Sequence, residues 1–158
     1  MGVKGKNNTR FINRVGEVHF NNQGCKGTII ECINSKNCTI QFDNGYSAKN
    51  IRYENIELGK VSNLLFPSVH GIGYLGVGKY KRKTHKRAYC KWAGMLERCY
   101  AYEEKYNFQS YKLTTVCDEW HCFQNFAEWF ESKYKFHMEG WELDKDIKGN
   151  GKLYSPET

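Results

Sequence analysis

The sequence of 158 residues contains no run of about 18 apolar residues that would suggest a membrane-spanning helix. It begins MGVKGKNNTR, which includes no apolar core of a signal peptide. Lys6 stands where an N-myristoylation signal has serine or threonine. We therefore expect neither secretion nor membrane contact, and a cytoplasmic location.

The seven cysteines include no Cys-x-x-Cys pair, the spacing most typical of zinc sites and redox motifs. They stand at positions 25, 32, 38, 90, 99, 117 and 122. This odd set predicts reduced, mostly buried thiols. Cys117, His121, Cys122 and His137 come closest to a metal-ligand set, but Cys122 would face away from the other two residues of its helix. We expect no metal and no cofactor.

The composition favours a folded, basic protein. Hydrophobic residues make up 40% and aromatic residues 15% of the chain, which is enough to bury a core. A net charge of +7 makes a polyanion or an acidic protein surface the natural partner. The charge is uneven, because residues 118–146 contain eight acidic and only three basic side chains.

Short β-like runs between turn residues predict a small SH3-like β-barrel over residues 14–60, after a flexible basic arm at residues 1–13. The runs are EVHF, KGTIIECI, CTIQF and NGYSAKNIRY, and the triplet DNG at residues 43–45 predicts a hairpin. Barrels of this kind bind nucleic acids or peptides, or pack on a neighbouring domain. No exposed aromatic triplet selects one of these roles.

Residues 61–87 are a predicted linker that is first glycine-rich and then basic. Glycines at positions 71, 73, 76 and 78 alternate with hydrophobic residues, which favours an irregular strand over a helix. They do not form a phosphate loop, because no Lys-Ser/Thr pair follows in register.

The run KYKRKTHKR at residues 79–87 is the strongest sequence signal for binding, with six basic residues in nine. Such clusters contact phosphates and release counterions. A solvated loop and an acidic protein patch as partner remain the alternatives. Together with two cations of the following helix, the candidate binding residues are Lys79, Lys81, Arg82, Lys83, Lys86, Arg87, Lys91 and Arg98.

Two amphipathic helices are predicted within a helical domain at residues 88–158, which gives an α+β fold class. The first helix, at about residues 88–102, has an apolar face formed by Tyr89, Trp92, Ala93, Leu96, Cys99 and Tyr100. The second, at about residues 118–133 and capped by Asp118, buries Trp120, Phe123, Phe126, Ala127 and Phe130. The segment YKLTTVC between them predicts a short strand.

Three segments in this order resemble a group of phage-encoded HNH-like, or homing-endonuclease-like, proteins. They are YCKWAGMLERCY, VCDEWHCFQNFAEWF and LDKDIKGNGKLYSPET, and the resemblance covers about residues 72–158. The N-terminal module, with NNQG and FDNGY, resembles a module often placed ahead of such domains. The resemblance implies a ββα finger at the end of the helical domain.

In an HNH finger, a histidine activates water, and an asparagine or histidine on the following helix helps to hold a metal ion. The resemblance places Asp144, Lys145 and Asp146 in the family's Asp-His-Ile-Asp pattern, with Lys145 in the place of the base. A lysine normally has a pKa of about 10.4 and is a cation at neutral pH. The sequence given ends within the helix that Ser155 would cap and Pro156 would begin, so we expect a truncated, degenerate hairpin without catalysis.

The resemblance and the loss of catalytic residues that it implies lead to the expectation of a non-catalytic phage or mobile-element inhibitor in the bacterial cytoplasm. Its expected partner is a Cas9-type CRISPR effector or its ribonucleoprotein, whose target cleavage it would block. One alternative is a divergent HNH homing endonuclease or nickase in which Asp144 and Asp146 bind Mg²⁺. Another is a non-catalytic protein that binds double-stranded DNA. In each case Leu143, Ile147 and Leu153 are expected to pack against the aromatic helices.

Overall fold

A computed structural model describes residues 12–101, 114–133 and 152–157. These residues form a four-stranded antiparallel sheet, a pair of short parallel strands and three α-helices, which confirms the α+β class. The chain divides into two compact units, residues 1–63 and residues 64–158. Each unit has a hydrophobic core of its own. The predicted arm at residues 1–13 lies outside the described residues except for Ile12 and Asn13.

The first unit is built on a sheet with the strand order β1-β2-β3-β4. The strands are β1 (Val18–Phe20), β2 (Lys26–Asn34), β3 (Asn37–Phe42) and β4 (Ser47–Ile51). Each lies within one of the predicted β-like runs or overlaps it closely. A short helix, α1 (Tyr53–Glu57), follows β4 and is not predicted by the sequence pattern.

The described sheet is open rather than closed into a barrel. Strands β1 and β4 are its two edges, and each pairs with one neighbour only. A barrel requires the first and last strands to pair as well. The closed SH3-like barrel predicted for residues 14–60 is therefore not confirmed by the part of the chain that the structure describes.

The inner face of this sheet carries the core of the first unit. Ile29, Ile40 and Phe42 from the strands are at most 2% exposed, and Ile56 of α1 packs with them. The predicted hairpin between β3 and β4 is present. Gly45 has a φ of +86°, a left-handed conformation that glycine adopts without steric cost.

Cys32 and Cys38 lie opposite each other on β2 and β3, and their sulfur atoms are joined in a disulfide. The prediction that all thiols are reduced is wrong for this pair. Antiparallel pairing places the two side chains face to face, whereas their spacing in the sequence does not reveal the register of the strands. The other cysteines are free.

The second unit contains two helices that cross over an aromatic core. Its elements are α2 (Lys86–Tyr100), β5 (Thr115–Val116), a 3₁₀ helix (Asp118–His121), α3 (Phe123–Lys133) and β6 (Leu153–Tyr154). Helix α2 begins two residues before its predicted start. The predicted second helix is divided into a 3₁₀ turn and α3, and Cys117 rather than Asp118 takes the cap position, without a side-chain cap hydrogen bond.

The core of the second unit is formed mainly by the predicted aromatic residues. Trp92 and Leu96 of α2 are fully buried, and all five residues predicted for the face of the second helix are buried as well. The Trp92 indole donates a hydrogen bond to the Trp120 carbonyl at 2.7 Å. Burial of a large apolar side chain stabilises the folded state by about 1.5–3 kcal/mol, so these rings are the main contribution to the stability of this unit.

The last described residues differ from the prediction. Strand β6 pairs in parallel with β5, and the Cys117 amide donates to the Tyr154 carbonyl at 2.9 Å. Tyr154 is 2% exposed, whereas Leu153 is 40% exposed. The prediction that Leu153 packs against the helices is therefore wrong, because alternate residues of a strand face opposite sides and Tyr154 takes the inner one.

The remaining predictions for the C-terminal segment fall on residues 134–151, which lie outside the described residues. They concern the hairpin, the packing of Leu143 and Ile147, and the positions of Asp144, Lys145 and Asp146. The predicted helix start is represented by a turn in which the Glu157 amide donates to Ser155 Oγ at 3.4 Å.

The glycine-rich segment pairs as an irregular strand, as predicted. Val69 forms an antiparallel bridge with Gly73, and Tyr74 forms a parallel bridge with Cys122. Gly73 lies directly against α2, where a β-carbon would collide with Leu96 and Trp92. Glycine is required at this position because the backbone approaches the helix too closely for any side chain.

We predict that Gly73→Ala lowers the free energy of unfolding of the second unit by about 1–3 kcal/mol, through overpacking. Gly94→Ala is the control, because its β-carbon would have only Arg98 within 4 Å, at 3.7 Å. In a helix this change leaves stability unchanged or raises it by up to about 1 kcal/mol. Urea unfolding followed by tryptophan fluorescence measures both, since all four tryptophans lie in the second unit. Equal stability of the two variants would contradict the close packing at Gly73.

Candidate nucleic-acid interface

The basic segment, residues 79–87, is a folded turn that leads into α2. The His85 amide donates to the Lys81 carbonyl at 2.8 Å, and the Lys81 amide donates to His85 Nδ1 at 3.1 Å. Thr84 Oγ1 also donates to the Lys81 carbonyl, at 3.4 Å. The segment is thus held by hydrogen bonds of its own, whereas the sequence pattern predicted only a basic part of the linker at residues 61–87.

Tyr80 fastens the basic segment to α3. Its side chain is 9% exposed, and its hydroxyl donates to Glu128 Oε2 at 2.9 Å. Its ring contacts the imidazole of His85 edge-on, with the ring centres 4.9 Å apart. Lys79 and Lys81 flank Tyr80 in the sequence. The burial of Tyr80 therefore fixes the backbone from which both lysine side chains project.

Gln124 forms hydrogen bonds with the backbone at Tyr80 and at Leu75, which precedes it in the chain. Its Nε2 donates to the carbonyls of Leu75 and Tyr80, each at 3.0 Å. Its Oε1 accepts from the Tyr80 amide at 3.0 Å. Gln124 and Glu128 were not predicted as site residues. The sequence signal that could have identified them is a pair of polar residues, four positions apart, in a helix that is otherwise rich in aromatic residues.

Lys79 is paired with a carboxylate of α3. Its Nζ lies 3.1 Å from Glu128 Oε2. The hydrogen bond between them raises the pKa of Lys79 and lowers the pKa of Glu128. Both groups are therefore charged at neutral pH, and Lys79 is less available to an external anion than its neighbours.

Four of the other five cations of the segment are exposed to solvent. Lys81, Arg82, Lys83 and Lys86 are exposed, and none of them forms an ion pair with the residues that the structure describes. The Arg82 guanidinium lies over the Tyr89 ring, 5.0 Å from its centre. This cation–π contact restrains the side chain while leaving its hydrogen-bond donors available.

The eight predicted binding residues do not form a single cluster. Arg87 and Lys91 are partly buried on α2, close in sequence to the exposed group. Arg98 is 12 residues beyond Lys86 on the same helix, about 18 Å along its axis at about 1.5 Å per residue. Its guanidinium lies 5.9 Å from the centre of the Tyr154 ring. Arg98 therefore belongs to a different part of the surface from the basic segment.

Of the residues considered for a metal site, Cys117, His121 and Cys122 lie in the described part of the chain, whereas His137 lies outside it. No group of three or more His, Cys, Asp or Glu side chains in the described part could hold a metal ion. His121 Nε2 lies 3.4 Å from the Tyr100 hydroxyl, and its Nδ1 lies 3.8 Å from Asp118 Oδ1. Cys122 is buried against the glycine-rich segment, where a β-carbon on Gly76 would contact its sulfur.

Searches for related proteins add no identification: no protein-family model matches this chain, and neither does any curated protein or solved structure. The similarity to HNH-like proteins therefore stays a prediction that rests on three sequence segments. Among the described residues, no helix has both the length and the apolar character needed to cross a membrane.

The free thiols of α2 differ in their environment, which leads to a prediction for their reactivity. Cys90 is exposed, whereas burial raises the pKa of Cys99 to about 11. At pH 8 only about one Cys99 thiol in a thousand is then ionised, and the thiolate is the reactive form. We predict that iodoacetamide alkylates Cys90 at least about tenfold faster than Cys99, as followed by peptide mass spectrometry. Similar rates would contradict the burial and would make Cys99 a candidate nucleophile.

Proposed function

We propose that this chain binds double-stranded DNA through its basic segment and does not cleave it. The observation that supports this proposal is the fixed turn that presents four exposed cations, Lys81, Arg82, Lys83 and Lys86, at the start of α2. Phosphate groups of a duplex form a dense, regular array of negative charge. A cluster of exposed cations on a rigid turn is suited to contact several of them together.

The ordered conformation of the basic segment favours DNA affinity, in addition to the effect of its charge. Association costs conformational entropy for each side chain and loop that must be immobilised. The anchor at Tyr80 and the hydrogen bonds to Gln124 remove much of that cost before binding occurs. In addition, the Arg82 side chain already has a restrained position over Tyr89.

The absence of cleavage is inferred from the residue that replaces the expected base. The resemblance to HNH fingers places Lys145 at the position of the histidine that activates water. A protonated lysine cannot accept a proton from water at neutral pH. We propose that residues 88–158 have an HNH-like scaffold. Since Lys145 cannot act as the base, this scaffold serves binding and not cleavage.

We predict that the affinity for a duplex of about 20 base pairs decreases steeply with salt. Each phosphate contact contributes about 0.9 to the slope of log Kd against log salt, so four exposed cations give a slope of roughly 3 to 4. The triple variant K81Q/R82Q/K83Q should lose most of this slope and bind on the order of 100-fold more weakly at 0.1 M salt. Fluorescence anisotropy with a labelled duplex measures both quantities.

A triple variant in the first unit is the matched control. Lys36, Lys49 and Lys60 are exposed there, and K36Q/K49Q/K60Q changes the net charge by the same amount. It should retain nearly the affinity of the unmodified protein. An equal loss in both variants would contradict a binding site at the basic segment. Nicking of supercoiled plasmid in Mg²⁺ that disappears in D144A/D146A would contradict the absence of catalysis.

A second candidate function is inhibition of a Cas9-type effector or its ribonucleoprotein. The specific observation in its favour is the excess of acidic residues at positions 118–146, since a surface with charges of both signs suits a protein partner better than DNA alone. The resemblance to phage-encoded proteins agrees with such a role. The mechanism would be steric, with docking on the nuclease domain or in the nucleic-acid channel.

Stoichiometric mixing with Cas9 ribonucleoproteins tests this second candidate. If it is correct, DNA cleavage decreases in proportion to the added protein, and the two elute together in gel filtration. A tenfold excess of bare competitor DNA should not restore cleavage, which distinguishes binding of the effector from coating of the substrate. Undiminished cleavage by several orthologous effectors, together with separate elution, would contradict it.

A further inference from the structure

We propose that Gln124 is a positioning residue for the basic segment, which it holds in the arrangement that lets several cations reach phosphates at once. This inference depends on the DNA binding proposed above. Gln124 does not contact the ligand in this account. Its role is to fix the backbone from which the cations project.

The carboxamide of Gln124 uses both of its ends. The nitrogen donates to Leu75 and Tyr80 carbonyls, and the oxygen accepts from the Tyr80 amide, all at 3.0 Å. A carboxamide carries two N–H donors and a carbonyl acceptor without charge, so one side chain can donate to two carbonyls and accept from an amide. The three bonds link Leu75 to Tyr80, five positions further along the chain, and hold both backbone groups of Tyr80, directly before Lys81.

Two glycines allow the backbone to lie against Gln124. A β-carbon on Gly78 would collide with the carboxamide, and one on Gly76 would lie 3.1 Å from Gln124 Cγ. Gly76 also has a φ of +69°, a conformation that other residues rarely adopt. The glycine-rich sequence ahead of the basic segment is thus explained by the need to fit closely against α3.

Glu128 extends the same contact by one helical turn. It accepts from the Tyr80 hydroxyl and pairs with Lys79, so it stabilises the anchor and withholds one cation from the surface. Gln124 and Glu128 therefore act differently. The first sets the position of the segment without changing its charge, whereas the second also reduces its effective charge.

Loss of the carboxamide should weaken DNA binding although no charge is removed. The carbonyls of Leu75 and Tyr80 and the Tyr80 amide would lose their partners, and the segment would sample other conformations. The cations would then have to be ordered again during binding, at an entropic cost. A residue with a purely structural role would change the stability of the protein but not the affinity of the folded protein.

The test compares Gln124→Ala and Gln124→Met with Asn125→Ala. Methionine keeps the length of the side chain and suits a helix, so it guards against a simple folding defect. Asn125 is the adjacent exposed residue, and its side chain donates only to the Glu119 carbonyl. We expect both Gln124 variants to bind a 20-base-pair duplex about 5- to 20-fold more weakly at 0.1 M salt, and N125A to remain within about twofold.

A second pair of variants separates position from charge. Glu128→Gln keeps an acceptor for the Tyr80 hydroxyl but releases Lys79, so the salt slope should increase by about 0.9, one additional phosphate contact. Glu131→Gln is the control, because it removes the same charge from an exposed position on the same helix. An equal increase in both variants would show a general charge effect and would contradict the specific role of Glu128.

Amide hydrogen exchange of residues 75–85 provides a readout that does not require DNA. Exchange at the Tyr80 amide should accelerate at least about tenfold in Q124A and Q124M and not in N125A. If the unmodified protein does not bind the duplex, the proposed function fails, while this exchange result still decides whether Gln124 holds the segment. Unchanged exchange, or accelerated exchange with unchanged affinity, would overturn the positioning role.

Discussion

The packing of aromatic side chains between α2 and α3 is the contact on which the second unit depends. Trp92 from α2 meets Phe123 from α3, with ring centres 5.3 Å apart, and its indole is hydrogen-bonded to the Trp120 carbonyl. Burial of each such ring contributes about 1.5–3 kcal/mol, against about 1 kcal/mol for a typical hydrogen bond. The core therefore decides how the helices lie, and the polar contacts at its edge decide where the adjoining segment lies.

That edge is where structure and proposed function meet. Helix α3 packs its aromatic residues into the core. Its Gln124 and Glu128 side chains lie at the edge of that core and form hydrogen bonds with Tyr80, in the chain that precedes α2. The same chain then continues into the basic segment. The basic segment is in this way joined directly to the aromatic core of its unit. This attachment accounts for the ordered conformation of the segment, although the segment is polar and exposed.

The sequence predicts the elements better than it predicts the contacts between them. Alternating hydrophobic runs identify all four strands of the first unit, and helical spacing identifies the buried faces around Trp92 and Trp120. The Cys32–Cys38 disulfide depends on strand register. The burial of Tyr154 in place of Leu153 depends on which face of β6 turns inward. Likewise, the role of Gln124 depends on a partner more than 40 residues away in the chain. Local patterns do not contain these long-range relations.

A nuclear magnetic resonance titration of the protein with a short duplex tests the central claim most directly. The account predicts that the largest shifts of backbone amide signals occur at residues 81–86, together with the side-chain signal of Arg82, and that they diminish as salt is added. Shifts concentrated in residues 16–59, or no shifts at low salt, would contradict the assignment of the basic segment as the DNA-binding surface.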